Sequence, residues 1–312
     1  MEKDHTLLTA NESPRFLKSV FVSVLSGGTG ASLSRTVTSP LERMKIIFQV
    51  QSNNEYNSIF STVSKIWKRE GILGFFRGNG TNCLRAFPYG AVQFATYSGL
   101  KQLTLQASCR NDLNNYERLI FGAISGAASV VSTYPLDIAR TRLSIQTAGL
   151  VKNSMIDGCN THSLNLMSTL RTIYRNEGGI AAFYSGLPAT LLNVVPYVSI
   201  VFFTYEWCKE YMFSGRDLSV LEKLSLGGFS GFVAQTFAFP ADVLRRRFQV
   251  NRIPGIGYHY SSIPDAMVKI YSKEGLFGFF RGYFSNLLKI IPVMSITWYT
   301  FETINKTTAV TI

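Results

Sequence analysis

The sequence is short of charge and of the side chains that most enzymes use for chemistry. Charged residues make up only 16% of its 312 residues, a smaller share than soluble globular proteins usually have. None of the three histidines lies beside a serine or cysteine nucleophile in a recognisable pattern. The four cysteines contain no Cys-x-x-Cys pair and no metal-ligand spacing. The sequence therefore predicts a protein that is not an enzyme and that has no metal site and no cofactor.

Targeting and regulatory segments are also missing from the N-terminal region. Residues 1–15 lack the apolar core of a secretory signal and are too acidic for a typical mitochondrial presequence. No Asp-rich calcium-binding loop precedes residue 20. Any import signal is therefore expected to be internal.

Positive charge is what the sequence has in excess. A net charge of +12 indicates an anionic partner, which is a nucleic acid, a membrane surface or an anionic solute. The cations recur at repeated places instead of forming one basic run, which argues against nucleic acid. Aromatic content of 13% and a mean hydropathy of +0.12 suit a membrane protein whose helices line a wet interior.

Three sequence blocks occur three times in the same order. The first block reads SPLERMKIIFQV, YPLDIARTRLSI and FPADVLRRRFQV, each with the pattern Pro-x-acid-x-x-base. The second contains Glu-Gly and ends at a further glycine, and the third contains a proline within an apolar run. Repetition on this scale predicts tandem structural units. The predicted division is an N-terminal tail at 1–17 and three units at 18–112, 113–217 and 218–312.

Each unit has the same predicted plan. A Gly- and Ser-rich apolar helix runs through the first proline, a short amphipathic helix follows, and a second apolar helix contains its own proline. With two long helices and one short helix in each unit, the plan predicts an all-α membrane protein with six transmembrane helices and three short helices. A soluble array of helical repeats is the alternative. The charge-free apolar run at 187–203 argues against it, because soluble repeats carry charged faces.

These blocks resemble those of the mitochondrial carrier family over essentially the whole chain. The family pattern is Pro-x-acid-x-x-base followed by acid-Gly-x4-aromatic-base-Gly, and it is complete in units one and three. Unit two has one extra residue and carries Ser185 in place of the base. The resemblance implies a monomeric carrier in the inner mitochondrial membrane. It also implies a three-fold pseudosymmetric bundle of six transmembrane helices, with the three short helices facing the matrix. The central cavity of this bundle is expected to open alternately to each side.

The proline motifs predict a gate at the matrix end. An acid and a base three residues apart lie on one helix face, so three such helices can close a ring of ion pairs. By the family pattern the pairs are Glu42 with Arg140, Asp137 with Arg245, and Asp242 with Lys45. The resemblance adds two glutamines that brace these pairs, whereas Ser144 stands at that position in unit two. The predicted matrix gate comprises Pro40, Glu42, Lys45, Gln49, Pro135, Asp137, Arg140, Pro240, Asp242, Arg245 and Gln249.

One charge in the first motif is not assigned to this ring. Arg43 has no charged counterpart at the matching positions of the other two units. We expect its long side chain to reach water on the matrix side. A ring of static bridges that only holds the helices together is the alternative to a gate.

A second, weaker gate is predicted by resemblance at the cytoplasmic end. The family pattern aromatic-acid-x-x-base is complete only in unit two. The residues that match it are Lys101, Glu206, Lys209 and Glu302. Because units one and three each lack one charge, we expect the empty protein to open more readily to the cytosol.

The sequence FFRG at 75–78 and 279–282 predicts a lipid contact. It precedes the second apolar helix, and free N–H groups at a helix N-terminus favour phosphate. Cardiolipin or another anionic lipid is therefore an expected partner of Arg77, Gly78, Arg281 and Gly282. The alternative is that both arginines merely face water at the membrane edge.

The second apolar helices are predicted to bind the solute. Arg85 and Lys289 are lone cations in apolar segments, which is costly unless they face the cavity and meet an anion. The stretch NVVPY resembles Gly-Val-Val-Pro-Tyr in carriers for coenzyme A, adenine nucleotides and adenosine phosphosulfates. By this resemblance Asn193, Val194 and Tyr197 contact adenine, and Tyr197 stacks on it.

The resemblance leaves the solute open among three kinds of adenine-containing anion. These are the adenosine phosphosulfates (APS and PAPS), coenzyme A with ADP, and ATP with ADP. Motifs such as DVLRRRFQV are similar to those of fungal phosphosulfate carriers. A carrier of the same chemistry in the peroxisomal membrane is one alternative, and a non-transporting receptor or scaffold on the same fold is another.

Overall fold

The fold consists of helices packed side by side, with no strand in the described part of the chain. The computed structural model describes residues 13–51, 58–108, 112–145, 165–213, 219–253, 256–289 and 292–293. Unit one contains α1 (Ser13–Val50), α2 (Ile59–Gly74) and α3 (Asn79–Ser108), and unit two contains α4 (Asn115–Ile145), α5 (Leu166–Asn176) and α6 (Leu187–Phe213). Unit three contains α7 (Val220–Val250), α8 (Ile263–Glu274) and the helical residues 283–289, which begin α9. Short 3-10 turns at Gly179–Tyr184 and Leu276–Phe280 precede the last long helices of units two and three.

Every long helix described in full contains a proline and continues past it. Proline lacks the N–H that a helix interior needs, so each position gives up one backbone hydrogen bond. The prolines are Pro40, Pro88, Pro135, Pro196 and Pro240. Two helical stretches, Tyr116–Ile145 and Gly179–Met212, are long and apolar enough to cross a membrane by length and composition. Most of the predicted sixth long helix lies outside the described residues.

The three helices that carry the proline motifs, α1, α4 and α7, contact one another pairwise. The second long helices of units one and two pack between them: α3 contacts α1 and α4, and α6 contacts α4 and α7. The last eight residues of each motif helix are nearly all buried, whereas many described residues in the N-terminal halves of α4 and α7 are partly or fully exposed. The bundle is therefore closed at the end where the proline motifs lie.

Glycines at the start of α3 and α9 allow each unit to pack tightly on another. Gly78 and Gly282 have φ angles of 81° and 84°, a region that glycine adopts without strain. A Cβ atom at Gly78 would lie 3.0 Å from the carbonyl oxygen of Arg140, and one at Gly282 would lie 3.0 Å from that of Lys45. Both contacts set the helix start against the backbone of a predicted gate residue in another unit.

Candidate functional site

Three ion pairs link the motif helices to one another. The Nζ atom of Lys45 lies 2.8 Å from the carboxylate of Asp242, and a guanidinium nitrogen of Arg245 lies 2.5 Å from that of Asp137. Arg140 forms the third pair with Glu42. Each pair joins two different units, so the six side chains close an ion-pair ring around the axis of the bundle. The structure thus brings together the six charged residues that the sequence predicted to pair.

Two glutamines bond to the ion-pair ring, and the third pair is supported differently. Gln49 donates to Asp242 at 3.0 Å, and Gln249 donates to Asp137 at 2.7 Å. The hydroxyl of Ser144, at the equivalent position in unit two, donates to a carbonyl of its own helix. The Glu42 carboxylate instead accepts a bond from Asn82 Nδ2 of α3 at 3.2 Å. The position of Asn82 was not foreseen from the sequence, because it depends on how α3 packs against α1.

The two predicted solute-binding cations also bond to carboxylates of the ion-pair ring. Arg85 donates from Nη1 to Asp137 at 2.6 Å and from Nε to the hydroxyl of Thr133 at 3.2 Å. Lys289 Nζ lies 3.1 Å from Glu42 Oε1. The sequence required an anion near each cation, and in the solute-free protein that anion is an acid of the ring.

The three predicted adenine contacts lie on α6. Asn193 donates from Nδ2 to the carbonyl of Ala238 on α7, at 3.1 Å. Val194 and Tyr197 are half-buried. Among the described residues, no hydrogen bond or ion pair connects these three side chains to Arg85 or Lys289. The structure therefore leaves the cations and the α6 residues as two separate groups.

Sequence reasoning missed a further cation, Arg246. Its Nη1 atom bonds to Thr141 Oγ1 at 2.7 Å and to Gln249 Oε1 at 2.9 Å, and it lies 3.4 Å from Asp137. The signal was the run of three arginines at 245–247. Only packing shows which carboxylate each arginine meets. Because its partner on α4 is Thr141 and not a further acid, Arg246 adds a positive charge without a carboxylate of its own.

The connected network carries an excess of positive charge. Its carboxylates are Glu42, Asp137 and Asp242, and its cations are Lys45, Arg85, Arg140, Arg245, Arg246 and Lys289. Six cations therefore face three carboxylates. Among the described residues, the buried Nε atoms of Arg245 and Arg246 find no hydrogen-bond partner. An added anion would supply both the missing charge and the missing acceptors.

The expectation that Arg43 reaches water is wrong. Its side chain is only 1% exposed and lies between three partners. It donates to Glu70 at 2.7 Å, to the carbonyl of Ser144 at 3.0 Å and to the carbonyl of Gly74. Arg43 therefore joins the Glu-Gly block of its own unit to the backbone of unit two.

Equivalent clamps occur in the other two units. Arg142 bonds to both carboxylate oxygens of Glu177 at 2.6 Å, and Arg247 bonds to those of Glu274 at 2.6 and 2.7 Å. Both also donate from Nε to the carbonyl of a glutamine on a neighbouring motif helix. These two arginines come one helical turn later after the proline than Arg43 does. Because of this difference in position, aligning the three units by their prolines does not place Arg43 opposite Arg142 and Arg247.

The predicted lipid-binding arginines are paired within their own units. Arg77 lies 3.1 Å from Glu70, and Arg281 lies 3.0 Å from Glu274. Each also borders a cavity between the N-terminal ends of two helices. A cavity of 320 Å³ is lined by Arg77, Gly78, Gly80, Thr81, Leu84, Leu143, Asn165 and Leu166. A cavity of 560 Å³ is lined on one side by Ser58, Ile59 and Phe60 and on the other by Arg281, Gly282 and Tyr283.

The predicted cytoplasmic gate is not closed in the part of the chain that the structure describes. Lys101 and Glu206 are exposed and Lys209 is half-buried. No ion pair joins any two of these three residues. Glu302, the fourth member, lies outside the described residues. Among the described residues, the charges of the ion-pair ring are therefore paired with one another, whereas those of the predicted cytoplasmic gate are not.

Comparison with known proteins agrees with this architecture. The family model described as mitochondrial carrier protein matches residues 17–108, 111–216 and 216–310. An uncharacterized mitochondrial carrier of Schizosaccharomyces pombe is 62% identical over 98% of each chain, and one of Saccharomyces cerevisiae is 41% identical over 96% of this chain and 97% of its own. The mitochondrial adenine nucleotide transporter of Arabidopsis thaliana is 34% identical over 91% of this chain and 86% of its own. The chain belongs to the mitochondrial carrier family of membrane transporters.

Proposed function

We propose that the protein is a multi-pass antiporter of adenine-containing anions in the inner mitochondrial membrane. The observation that carries this proposal is the network of six cations around three carboxylates. A surplus of three positive charges suits a solute with several phosphate or sulfate groups. The chain is similar to a protein named an adenine nucleotide transporter, and this similarity supports a solute that contains adenine.

The solute is held by the cations that now bond to the ion-pair ring. Its anionic oxygens compete with Asp137 for Arg85 and with Glu42 for Lys289. A guanidinium donates two parallel hydrogen bonds to a phosphate or sulfate, and this geometry favours Arg85 as the main anchor. Arg246 adds charge at the same carboxylate without having to leave its bond to Thr141.

Transfer of these cations to the solute weakens the ion-pair ring. Asp137 and Glu42 each lose one of their positive partners when Arg85 and Lys289 turn to the solute. Buried ion pairs are close to energetic balance, because desolvation offsets their attraction. A difference of a few kcal/mol between occupied and empty states is then enough to shift the population between gate conformations. Without a solute the ring stays fully bonded, which favours exchange over leak.

The adenine ring is placed against α6 in this proposal. The Nδ2 group of Asn193 is occupied by Ala238, so its Oδ1 atom is the group that accepts from the exocyclic amine of adenine. Tyr197 provides a half-buried aromatic surface for stacking. The closed ion-pair ring and the exposed Lys101 and Glu206 support a conformation that is open to the cytosol.

Exchange in liposomes tests the proposed function directly. Purified protein is reconstituted in liposomes loaded with APS, PAPS, coenzyme A, ADP or ATP, and uptake of the same labelled compounds is measured. We expect exchange of at least one of these compounds. We expect no exchange of GDP or GTP, which differ from ADP and ATP only in the base. If no adenine-containing anion is exchanged, the substrate class is wrong and a receptor or scaffold role is favoured. Fractionation of native cells separates an inner mitochondrial from a peroxisomal location.

Anionic lipid is a second proposed ligand, at the two helix N-terminal cavities. Each cavity lies between the first turns of two helices from different units, where backbone N–H groups lack partners within the helix. The buried Nη1 atom of Arg77 has no hydrogen-bond partner in the part of the chain that the structure describes, which leaves a donor for a phosphate oxygen. Cardiolipin, with two phosphates and several acyl chains, has the chemistry for such cavities at the membrane edge.

A further inference from the structure

An apolar layer lies directly beneath the ion-pair ring. The last residues of the three motif helices, Val50, Ile145 and Val250, are all 0% exposed and belong to one cluster with Ile256. Each of the three follows the base of its ion pair by five residues. Tyr258 packs against the same cluster. We call Val50, Ile145, Val250, Ile256 and Tyr258 the apolar cap.

The apolar cap is on the opposite side of the ring from the proposed solute site. Arg85 bonds to Asp137 and to Thr133, which precedes Asp137 by one turn of α4. Ile145 follows Asp137 by about two turns of the same helix. A solute that reaches Arg85 must therefore cross the ring and then the cap to leave at this end.

Tyr258 connects unit three to unit one across the cap. Its hydroxyl donates to the carbonyl of Val50 at 2.9 Å. The guanidinium of Arg247 lies over its ring, 5.5 Å from the centroid. Burial raises the pKa of the Tyr258 phenol, so it stays the neutral donor that this contact needs. Movement of α1 away from α7 breaks the bond to Val50.

The segment that carries Tyr258 is anchored to α7. Tyr260 stacks on Tyr258 with ring centroids 4.9 Å apart. Asn251, which directly follows α7, bonds to the backbone of Tyr260 twice, at 2.7 and 2.8 Å. Arg247 Nη1 also lies 3.2 Å from the Tyr260 hydroxyl. These contacts hold residues 258–260 to unit three, so they move with α7.

At the matching sequence positions of the three units, only unit three has an aromatic residue. Tyr258 lies four residues before Ser262, the N-cap of α8, and the residues four before the N-caps of α2 and α5 are Asn54 and Thr161. Each unit contributes an acid and a base to the ion-pair ring, whereas the described part of the cap contains one tyrosine. The asymmetry means that one substitution can remove it.

We propose that Ile256 and Tyr258 form an uncharged second closure of the matrix exit, which must separate from Val50 before the ion-pair ring admits matrix water. The closure keeps the ring dry, which strengthens its ion pairs. Its main energy comes from apolar contact, so salt does not screen it as it screens exposed charges.

Alkylation of a cysteine between ring and cap tests this closure without any solute. Ile46, beside Lys45, is buried against the cap and provides the position. The reporter is Ile46→Cys in a chain whose cysteines at 83, 109, 159 and 208 are replaced by serine, treated with a membrane-impermeant maleimide on the matrix face. We expect Tyr258→Phe to raise the alkylation rate about fivefold, the factor expected for one net hydrogen bond. Tyr258→Ala removes the stacking as well and should raise the rate at least about tenfold.

A matched control uses another tyrosine of unit three. Tyr271 on α8 is 60% exposed, and Tyr271→Ala should leave the alkylation rate unchanged. Thermal unfolding in detergent identifies any variant that does not fold, and Tyr258→Phe alone decides the question if Tyr258→Ala fails. Folded Tyr258 variants that are alkylated as slowly as the parent would overturn the proposal. Because the readout needs no transport, its result is independent of which solute is carried.

Discussion

Arg85 on α3 donates to Asp137 on α4 at 2.6 Å, although 52 residues separate them in the chain. The other oxygen of the same carboxylate bonds to Arg245 at 2.5 Å. A predicted solute-binding side chain and a predicted gate residue therefore share one acid that is 0% exposed. This shared acid gives a physical route by which an arriving anion affects the ring.

Replacing Arg85 tests the solute site. Arg85→Gln should reduce exchange at least about 30-fold, because removing one partner of a buried charge pair costs about 2 kcal/mol or more. The protein should still fold, since Asp137 keeps its bonds to Arg245 and Gln249. Arg118→Gln, at an exposed arginine that also forms an ion pair, is the control and should transport normally. Full exchange by Arg85→Gln would show that the solute binds elsewhere.

A charge swap tests whether the ion-pair ring functions as a pair-specific gate. Lys45→Asp places two carboxylates together and should lower exchange more than about 100-fold, since breaking a buried pair costs roughly 3–5 kcal/mol. Adding Asp242→Lys restores the pair with reversed sign and should recover at least about a tenth of the exchange rate. The control is the exposed pair of Arg118 and Asp112. Arg118→Asp, alone or together with Asp112→Lys, should have little effect on exchange. A double variant no better than Lys45→Asp would count against the pairing.

The Arg43 clamp gives a prediction about stability. Arg43→Ile should lower the melting temperature, because it leaves Glu70 without one of its cations and costs roughly 3 kcal/mol. Adding Ile47→Arg moves the arginine by one turn to the position that Arg142 and Arg247 occupy in the other units. The double variant should recover most of the lost stability in a thermal unfolding assay. If it unfolds as early as the single variant, the three clamps are not equivalent.

The lipid proposal predicts a difference between two equally exposed phenylalanines. Phe60 and Phe277 are both 87% exposed, but only Phe60 lines the 560 Å³ cavity. Cardiolipin at 100 times its Kd should stabilise the parent protein by about 2.7 kcal/mol. Phe60→Glu should lose the share of this stabilisation that the 560 Å³ cavity contributes, because its carboxylate repels the lipid phosphate, whereas Phe277→Glu should keep all of it. Equal stabilisation of both variants, measured by melting temperature, would remove the cavity from consideration.

The sequence by itself determined the family, the three-unit plan and the identity of the ring residues. The reason is that each unit repeats a local pattern, Pro-x-acid-x-x-base, whose spacing fixes one helix face. The resemblance to the family then implied which acid pairs with which base. Family membership and the all-α fold are confirmed by the family match and the helices. The gate, lipid and solute roles stay predictions until they are measured.

Tertiary structure decided which partners the remaining charges meet. Lys289 and Glu42 are 247 residues apart, and no local pattern relates them. Arg43 looked unpaired because its equivalents in the other units lie one turn away, and only the packing of α1 against α2 and α4 shows that all three arginines do the same work. Tyr258 lies in a segment without a repeat, so its contact with Val50 depends entirely on the approach of unit three to unit one. Local spacing fixes which side chains share a helix face, but the contacts between units follow from the packing of whole helices.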